Sequence, residues 1–109
     1  MSMITTHVLD TSLGRPGSGI SVRLERIGDR SEPVATGVTD HDGRVADLGP
    51  DELPAGTYRL TFETASYFES HGAAAFFPSV QITFAANAAE HYHVPVLLSP
   101  FAYSTYRGS

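Results

Sequence analysis

Hydrophobic and polar residues alternate with a period of two through much of this sequence, and this pattern restricts how the chain can fold. The alternation is clearest in four segments, residues 20–25, 57–62, 80–84 and 91–98. Because successive side chains of a strand point to opposite faces of a sheet, each segment predicts a strand with one buried face. Turn-forming residues such as Asp42-Gly43 and Pro54-Ala55-Gly56 separate the segments.

Weaker strand patterns and one break in the alternation complete the predicted architecture. Further strands are predicted at residues 4–10, 33–39, 44–48 and 102–107. Thr64 as an N-cap and Gly72 as a stop predict a single short helix over 64–72. About eight short strands at this spacing favour an all-β sandwich of two antiparallel sheets, built as one domain over residues 1–109.

Composition excludes several classes of function. The 109 residues include no cysteine, so disulfides, thiol catalysis and cysteine-ligated metals are excluded. All seven basic residues are arginine and the net charge is −5, which argues against nucleic acid as a partner. The longest apolar run, at residues 73–77, is far shorter than the roughly 20 residues of a membrane span. The N-terminus does not resemble a signal peptide, and we expect a cytoplasmic protein without membrane contact.

Histidines are the first candidates for chemistry, because imidazole is the commonest general base near neutral pH. His91 and His93 lie two residues apart on a predicted strand, opposite the apolar Tyr92, Val94 and Val96. They therefore share the outer face of a sheet. The pair could ligate a metal with a third residue, form a solvated polar surface, or belong to a metal-free polar site. Spacing alone leaves these alternatives open.

Arg44 and the C-terminal tail are the other candidates. Arg44 follows the Asp42-Gly43 turn and is either a solvated turn residue or a bidentate donor for an anionic or imide-like substrate. The tail remains rich in aromatic and β-favouring residues to its end, unlike most termini. It predicts either a last edge strand or a segment in which Tyr106 and its neighbours reach a site or an interface.

Three segments together resemble one family. They are THVLDT at residues 6–11, TDHDGR at 39–44, and HYHVPVLLSP at 91–100 followed by YSTYRGS at 103–109. In this order they are similar to the 5-hydroxyisourate hydrolases, the transthyretin-like proteins of urate breakdown. The terminal Tyr-Arg-Gly-Ser is the feature that separates the hydrolases from transthyretin. The resemblance extends from residue 4 to residue 109.

The resemblance implies a transthyretin-like (prealbumin) sandwich and a homotetramer, a dimer of dimers with active sites at the dimer–dimer interface. It implies hydrolysis of the ring amide of 5-hydroxyisourate to a ureidoimidazoline, with no metal or organic cofactor. His7 or His93 would be the general base, and Arg44 would stabilise negative charge on the substrate oxygen. The implied site residues are His7, Arg44, His93 and Tyr106, with Arg107 and Ser109 from the terminal motif. His41, His71 and His91 do not match the catalytic set.

Two other classes of function remain as alternatives. One is a transthyretin-type carrier that binds an apolar ligand without chemistry. The ionisable residues His7 and Arg44, with Tyr106, argue against it, since an apolar ligand needs apolar walls. The other is a monomeric interaction module, such as a carbohydrate-binding sandwich, in which the tail has no function.

Overall fold

Two four-stranded β-sheets make up the fold in the computed structural model, which describes residues 2–109. In chain order the elements are β1 (Ile4–Asp10), β2 (Arg15–Pro16), β3 (Ser21–Ile27), β4 (Ser31–Val38), β5 (Gly56–Phe62), α1 (Thr64–Ser70), β6 (Val80–Ala86), β7 (Tyr92–Leu98) and β8 (Tyr103–Thr105). The first sheet has the order β2-β1-β7-β8 and the second has the order β4-β3-β5-β6. The predicted all-β sandwich with one short helix is confirmed.

One strand pair departs from the predicted antiparallel arrangement. β1 and β7 run parallel, with Ile4 opposite Tyr92 and Asp10 opposite Leu98, whereas the other strand pairs are antiparallel. A tight hairpin forces its two strands to be antiparallel, but the whole second sheet lies between β1 and β7 in the chain. Their relative direction is therefore set by packing rather than by a turn.

The prediction of a strand at residues 44–48 is wrong. In this segment Arg44 forms one isolated bridge with His7, and the other residues are outside the strands. Val45 and Leu48 are buried, so their apolar character reflects a loop anchored in the core. A two-residue strand that the sequence analysis did not predict, β2, pairs with β1, and its Pro16 is tolerated because β2 is an edge strand.

The alternating residues form one core between the sheets. Val8 of β1, Leu24 of β3, Leu60 of β5 and Val96 of β7 are each at most 1% exposed and belong to the same cluster. Burying a side chain of this size contributes about 1.5–3 kcal/mol. The alternation leaves Thr5, His7 and Leu9 of β1 half-buried on the outer face of the first sheet. The core thus determines which side chains of β1 face outward.

The N-cap of the helix lies one residue earlier than predicted. Glu63 is the N-cap, and Thr64 is the buried first residue of α1. The Thr64 hydroxyl donates to the carbonyl of Phe77 (2.8 Å) and does not cap the helix. Gly72, with φ of 71°, follows the helix end and accounts for the stop. Within residues 2–109 no helix is long and apolar enough to cross a membrane.

A buried carboxylate joins the helix to β1. Asp10, 1% exposed, accepts the Tyr67 hydroxyl (2.6 Å) on one oxygen and the N–H groups of Ser12 and Leu13 on the other. Burial raises the pKa of Asp10, but the hydrogen bonds from Ser12, Tyr67 and Leu13 outweigh it and hold that pKa below its ordinary value. Asp10 is therefore ionised at neutral pH.

We expect Tyr67→Phe to destabilise the protein by about 1.5–3 kcal/mol at pH 7, because it removes a hydrogen bond to a buried charge. Because folding lowers the pKa of Asp10, its ionised form stabilises the folded state at pH values above the ordinary pKa of 3.8. This stabilisation is lost as the pH falls through the pKa of Asp10 in the folded state. The cost of the substitution should therefore shrink below about pH 4. Urea unfolding at pH 7 and pH 3.5 measures both effects.

The matched control is Tyr58→Phe, which removes a hydroxyl donated at the same 2.6 Å to the neutral carbonyl of Pro54. Its cost should be about 0.5–1.5 kcal/mol and should not change with pH. Equal costs for the two variants at both pH values would contradict the role given to the Asp10 charge.

Candidate active site

The parallel register of β1 and β7 brings polar side chains together on the outer face of the first sheet. Thr5 is the Cα partner of His93, and its hydroxyl lies 2.8 Å from His93 Nδ1. The same hydroxyl lies 3.3 Å from His91 Nε2, just before β7 begins. The prediction that His93 lies on an outer sheet face agrees with its half-buried position beside the buried Tyr92 and Val94.

A tight turn places Arg44 beside β1. Asp40 accepts the N–H groups of Asp42 (2.9 Å) and Arg44 (3.0 Å) on one carboxylate oxygen. Gly43 has φ of 76° and lies so close to β1 that a Cβ there would be 2.3 Å from the Val8 carbonyl oxygen, so only glycine fits. This close approach allows Arg44 to form an antiparallel bridge with His7.

The last residues of the chain pack against His93. Gly108 donates its N–H to the His93 carbonyl oxygen (2.8 Å), and the two residues form an isolated bridge. A Cβ on Gly108 would lie 2.7 Å from Cδ2 of the His93 ring. The absence of a side chain at Gly108 therefore lets the tail cross the imidazole and place Ser109 beyond it.

These elements enclose a cleft of about 490 Å³. Its polar lining comes from β1, the Arg44 turn, β7 and the terminus, and includes Thr5, Asp40, Arg44, His91, His93 and Ser109. A guanidinium, two imidazoles and the hydroxyls of Thr5 and Ser109 around one cleft can bind a small polar ring and exchange a proton with it. The structure therefore brings together Arg44, His93 and Ser109 of the sequence-predicted set.

His7 lies beside this group. Its ring is stacked on that of His93 with centroids 6.5 Å apart and planes inclined by 29°. Its backbone pairs with Arg44, and its side chain shares the half-buried outer face with Thr5. His7 therefore lies next to both Arg44 and His93, which line the cleft.

Tyr106 and Arg107 lie on the other side of His93. They line a second cleft of about 360 Å³, to which His93, Tyr92 and strand β6 also contribute. The Arg107 guanidinium lies 4.5 Å above the Tyr92 ring and 3.8 Å from a Glu90 carboxylate oxygen. Arg107 thus holds the tail against β7, while His93 borders both clefts.

Electrostatics favour the neutral form of His93. Burial lowers the pKa of His93, and the positive charge of Arg44 and the neighbouring His7 and His91 lower it further. The Arg44 N–H donated to Asp40 is the main reason that the pKa of Asp40 is lowered, so a carboxylate remains near Arg44. At neutral pH the cleft therefore contains an unprotonated imidazole beside a guanidinium.

The remaining histidines divide into two groups. His41 is exposed in the turn before Arg44, and His71 packs on Tyr67 with ring centroids 4.4 Å apart, away from the cleft. His91, which did not match the catalytic set, lines the cleft. Among residues 2–109 the only three grouped metal-ligating side chains are Asp40, His41 and Asp42, all exposed.

Thr5, Asp40 and Gly108 are residues of the site that the sequence reasoning did not select. The period-two pattern did place His91 and His93 on one face, and this was the available signal for His91. Nothing local pointed to Thr5, since its two histidine partners are 86 and 88 residues away in the chain.

Comparisons with known proteins identify the family of the chain. A profile described as the HIUase/Transthyretin family matches residues 4–108. The chain is 44% identical to the 5-hydroxyisourate hydrolase of Salmonella dublin over 111 residues, which cover 99% of this chain and 82% of the relative.

Solved structures show the same relationship. The 5-hydroxyisourate hydrolase of Klebsiella pneumoniae superposes with a TM-score of 0.87 at 42% identity, covering 97% of this chain and 98% of the other. Sea bream transthyretin, solved with thyroxine, superposes with a TM-score of 0.91 at 31% identity, covering 96% and 93%. With its fold and its full-length similarity in agreement, the chain belongs to the HIUase/transthyretin family.

Proposed function

We propose that this protein hydrolyses 5-hydroxyisourate, opening its six-membered ring to a ureidoimidazoline that carries a new carboxylate. The observation that carries the proposal is the cleft in which His93, Arg44 and Ser109 converge beside His7. Relatives matched over nearly the whole chain carry the name 5-hydroxyisourate hydrolase, which supports the same reaction.

The reaction needs a base, an oxyanion partner and an oriented ring. Water attacks the amide carbonyl carbon while a base takes its proton, the carbon–nitrogen bond of the ring breaks, and the leaving nitrogen receives a proton. His93 is our candidate for the base, because its lowered pKa keeps it unprotonated and its Nδ1 is already engaged by Thr5. His7, stacked on it, is the candidate for exchanging a proton with the substrate.

Arg44 and the tail provide the remaining roles. The exposed guanidinium of Arg44 is placed to stabilise negative charge that develops on the carbonyl oxygen. Ser109 reaches the same cleft and would orient the ring. Tyr106 would bind from the second cleft, and Arg107 would act by anchoring the tail on Tyr92 and Glu90.

We further propose a homotetramer, arranged as a dimer of dimers. β6 and β8 are the last strands on one side of the two sheets, so both offer unpaired edges to a second copy within the described part of the chain. Phe101, Tyr103 and Tyr106 are exposed near β8, which fits burial by a partner. The single domain over residues 1–109 and the cytoplasmic location remain predictions.

The carrier function is the weaker candidate. A ligand such as thyroxine, which sea bream transthyretin binds, presents a large apolar surface. The cleft described above instead presents Arg44, Asp40 and two imidazoles, whose charges and hydrogen-bonding groups would have to lose water against that surface. Saturable thyroxine binding without any hydrolysis would favour the carrier.

We expect the protein to accelerate the decay of freshly generated 5-hydroxyisourate, followed by ultraviolet absorbance against the spontaneous rate. Removing the base with His93→Asn should lower kcat by about 10²–10⁴-fold. Arg44→Gln should lower it by about 10²–10³-fold, because the oxyanion loses its charged partner.

A matched control is His41→Asn, since His41 is exposed in a turn and outside the cleft. Its rate should equal that of the unmodified protein. The molecular mass of each sample, from light scattering, shows whether it is a tetramer. A verified tetramer that leaves the spontaneous rate unchanged would overturn the proposed function.

The acid limb of the pH profile should lie below the ordinary histidine value. The base works unprotonated, so kcat/KM should fall only as pH drops through the lowered pKa of His93, below 6.5. The groups that face His93 are Arg44, His7 and His91, and all three disfavour its protonated form. NMR titration of the His93 ring measures this pKa directly, and Arg44→Gln should raise it. A limb centred above 6.5 would contradict His93 as the base.

Gly108→Ala should impair catalysis while leaving the fold intact. The new Cβ would lie 2.7 Å from His93 Cδ2, so the imidazole or the tail must move. We expect a loss of about tenfold or more in kcat, since small misplacements of a catalytic group are costly. The control is Gly28→Ala, whose nearest neighbour would be 3.9 Å away. Unchanged ring shifts of His93 in Gly108→Ala would contradict this packing role.

A further inference from the structure

The hydroxyl of Thr5 lies between two imidazoles. Its Oγ1 is 2.8 Å from Nδ1 of His93 and 3.3 Å from Nε2 of His91, and its side chain is half-buried on the outer face of β1. A threonine hydroxyl carries one proton and can accept further hydrogen bonds. It can therefore donate to at most one of the two rings, and a ring to which it does not donate must donate an N–H to it for that contact to be a hydrogen bond.

Two arrangements use the Thr5 proton between the rings, and a third, in which both rings donate to Thr5, leaves His93 Nε2 free as the first does. In the first, His93 Nδ1–H donates to Thr5, and the Thr5 hydroxyl donates to Nε2 of His91. In the second, the direction is reversed, so that His91 Nε2–H donates to Thr5 and the Thr5 hydroxyl donates to Nδ1 of His93. The second leaves the proton of a neutral His93 on Nε2, and the first leaves Nε2 free.

The protonated state of His93 discriminates between the two arrangements. Both ring nitrogens of an imidazolium are donors, so once His93 has taken a proton Thr5 must accept from Nδ1–H. The first arrangement already has this direction and needs no rotation when Nε2 gains a proton. The second would have to turn the Thr5 hydroxyl during the reaction, which costs reorganisation.

We propose that Thr5 is a positioning residue that holds His93 as the Nδ1–H tautomer, with His91 Nε2 accepting the Thr5 hydroxyl proton, so that His93 Nε2 is the atom that removes the proton from water. This inference rests on the proposed hydrolysis for its catalytic meaning. Its structural content, the tautomer of His93, is independent of any substrate.

The surroundings of His93 leave it few other partners. The Gly108 backbone packs against the ring at Cδ2, so that a Cβ on Gly108 would lie 2.7 Å from this atom. On the Nδ1 side, the register of β1 and β7 places Thr5 beside His93. Among the described residues the hydrogen bonds of the His93 ring include no partner besides Thr5. Thr5 and His91 therefore act as one unit, in which the hydroxyl orients the ring and His91 orients the hydroxyl.

The test is nitrogen-15 NMR of the histidine rings in the full-length protein without substrate. We expect His93 to show a protonated Nδ1 and an unprotonated Nε2 at neutral pH. Thr5→Val, nearly the same shape without the hydroxyl, should shift the ring toward the Nε2–H tautomer. Thr5→Ser should retain the original tautomer, and His91→Phe should weaken the preference. The matched control is Thr36→Val, an exposed threonine on β4 of the other sheet, which should leave the His93 signals unchanged.

Kinetics supply the second readout. Thr5→Val should lower kcat by roughly 10- to 100-fold and change KM less, because valine keeps the shape of the cleft wall at this position while the base loses the hydroxyl that orients it. Thr5→Ser should recover most of kcat. If Thr5→Val does not fold, the His91→Phe spectrum and the tautomer of the unmodified protein still decide the matter.

The outcomes separate the two proposals. An Nε2–H tautomer in the unmodified protein, or a tautomer indifferent to Thr5→Val, overturns the role of Thr5. A protein that shows the expected tautomers but does not accelerate decay of 5-hydroxyisourate overturns the hydrolysis and leaves the positioning of His93 in place. A loss of kcat in Thr5→Val without a tautomer change overturns the positioning role while the hydrolysis stands.

Discussion

The parallel ladder between β1 and β7 is the contact on which the rest of the site depends. It sets Thr5 beside His93 and carries His7 along the same face, and it gives the terminal residues a strand on which to lie. The buried alternate residues of both strands fix its register, because a shift of one residue would turn Val8 and Val96 outward. Core packing and site geometry are thus consequences of one register.

The candidate site combines rigid and peripheral parts. Thr5, His7 and His93 belong to strands whose neighbours are buried, so their backbones are held firmly. Arg44 and Ser109 come from a turn and a terminus, and each depends on a glycine that lets the backbone approach closely, Gly43 against Val8 and Gly108 against His93. Neither Arg44 nor Ser109 belongs to a continuous strand, and close packing of the adjacent glycine against β1 or β7 holds the backbone in place instead.

Period-two alternation was sufficient to predict every strand except β2, and the shared face of His91 and His93, because it reports which side of a sheet is buried. It could not give the parallel direction of β1 and β7, since alternation carries no information on partners. It wrongly predicted a strand at residues 44–48, because Val45 and Leu48 are apolar residues of a loop that packs in the core and do not belong to a strand. The resemblance supplied His7, and it favoured a substrate-binding role for Arg44 over that of a solvated turn residue. The contacts of Thr5 depend on long-range register that no local pattern encodes.

The two sheets differ in how far apart their strands lie along the chain. In the second sheet every hydrogen-bonded pair lies within residues 21–86: a short turn joins β3 to β4, and the segment that contains α1 joins β5 to β6. The first sheet needs residues 4–10 to meet residues 92–98, which pays nearly the largest loop-closure entropy available to this chain. During synthesis the second sheet can form while the ribosome is still at work. The face that carries the candidate site can be assembled only after β7, at residues 92–98, has emerged, so a chain released before that point would lack this face.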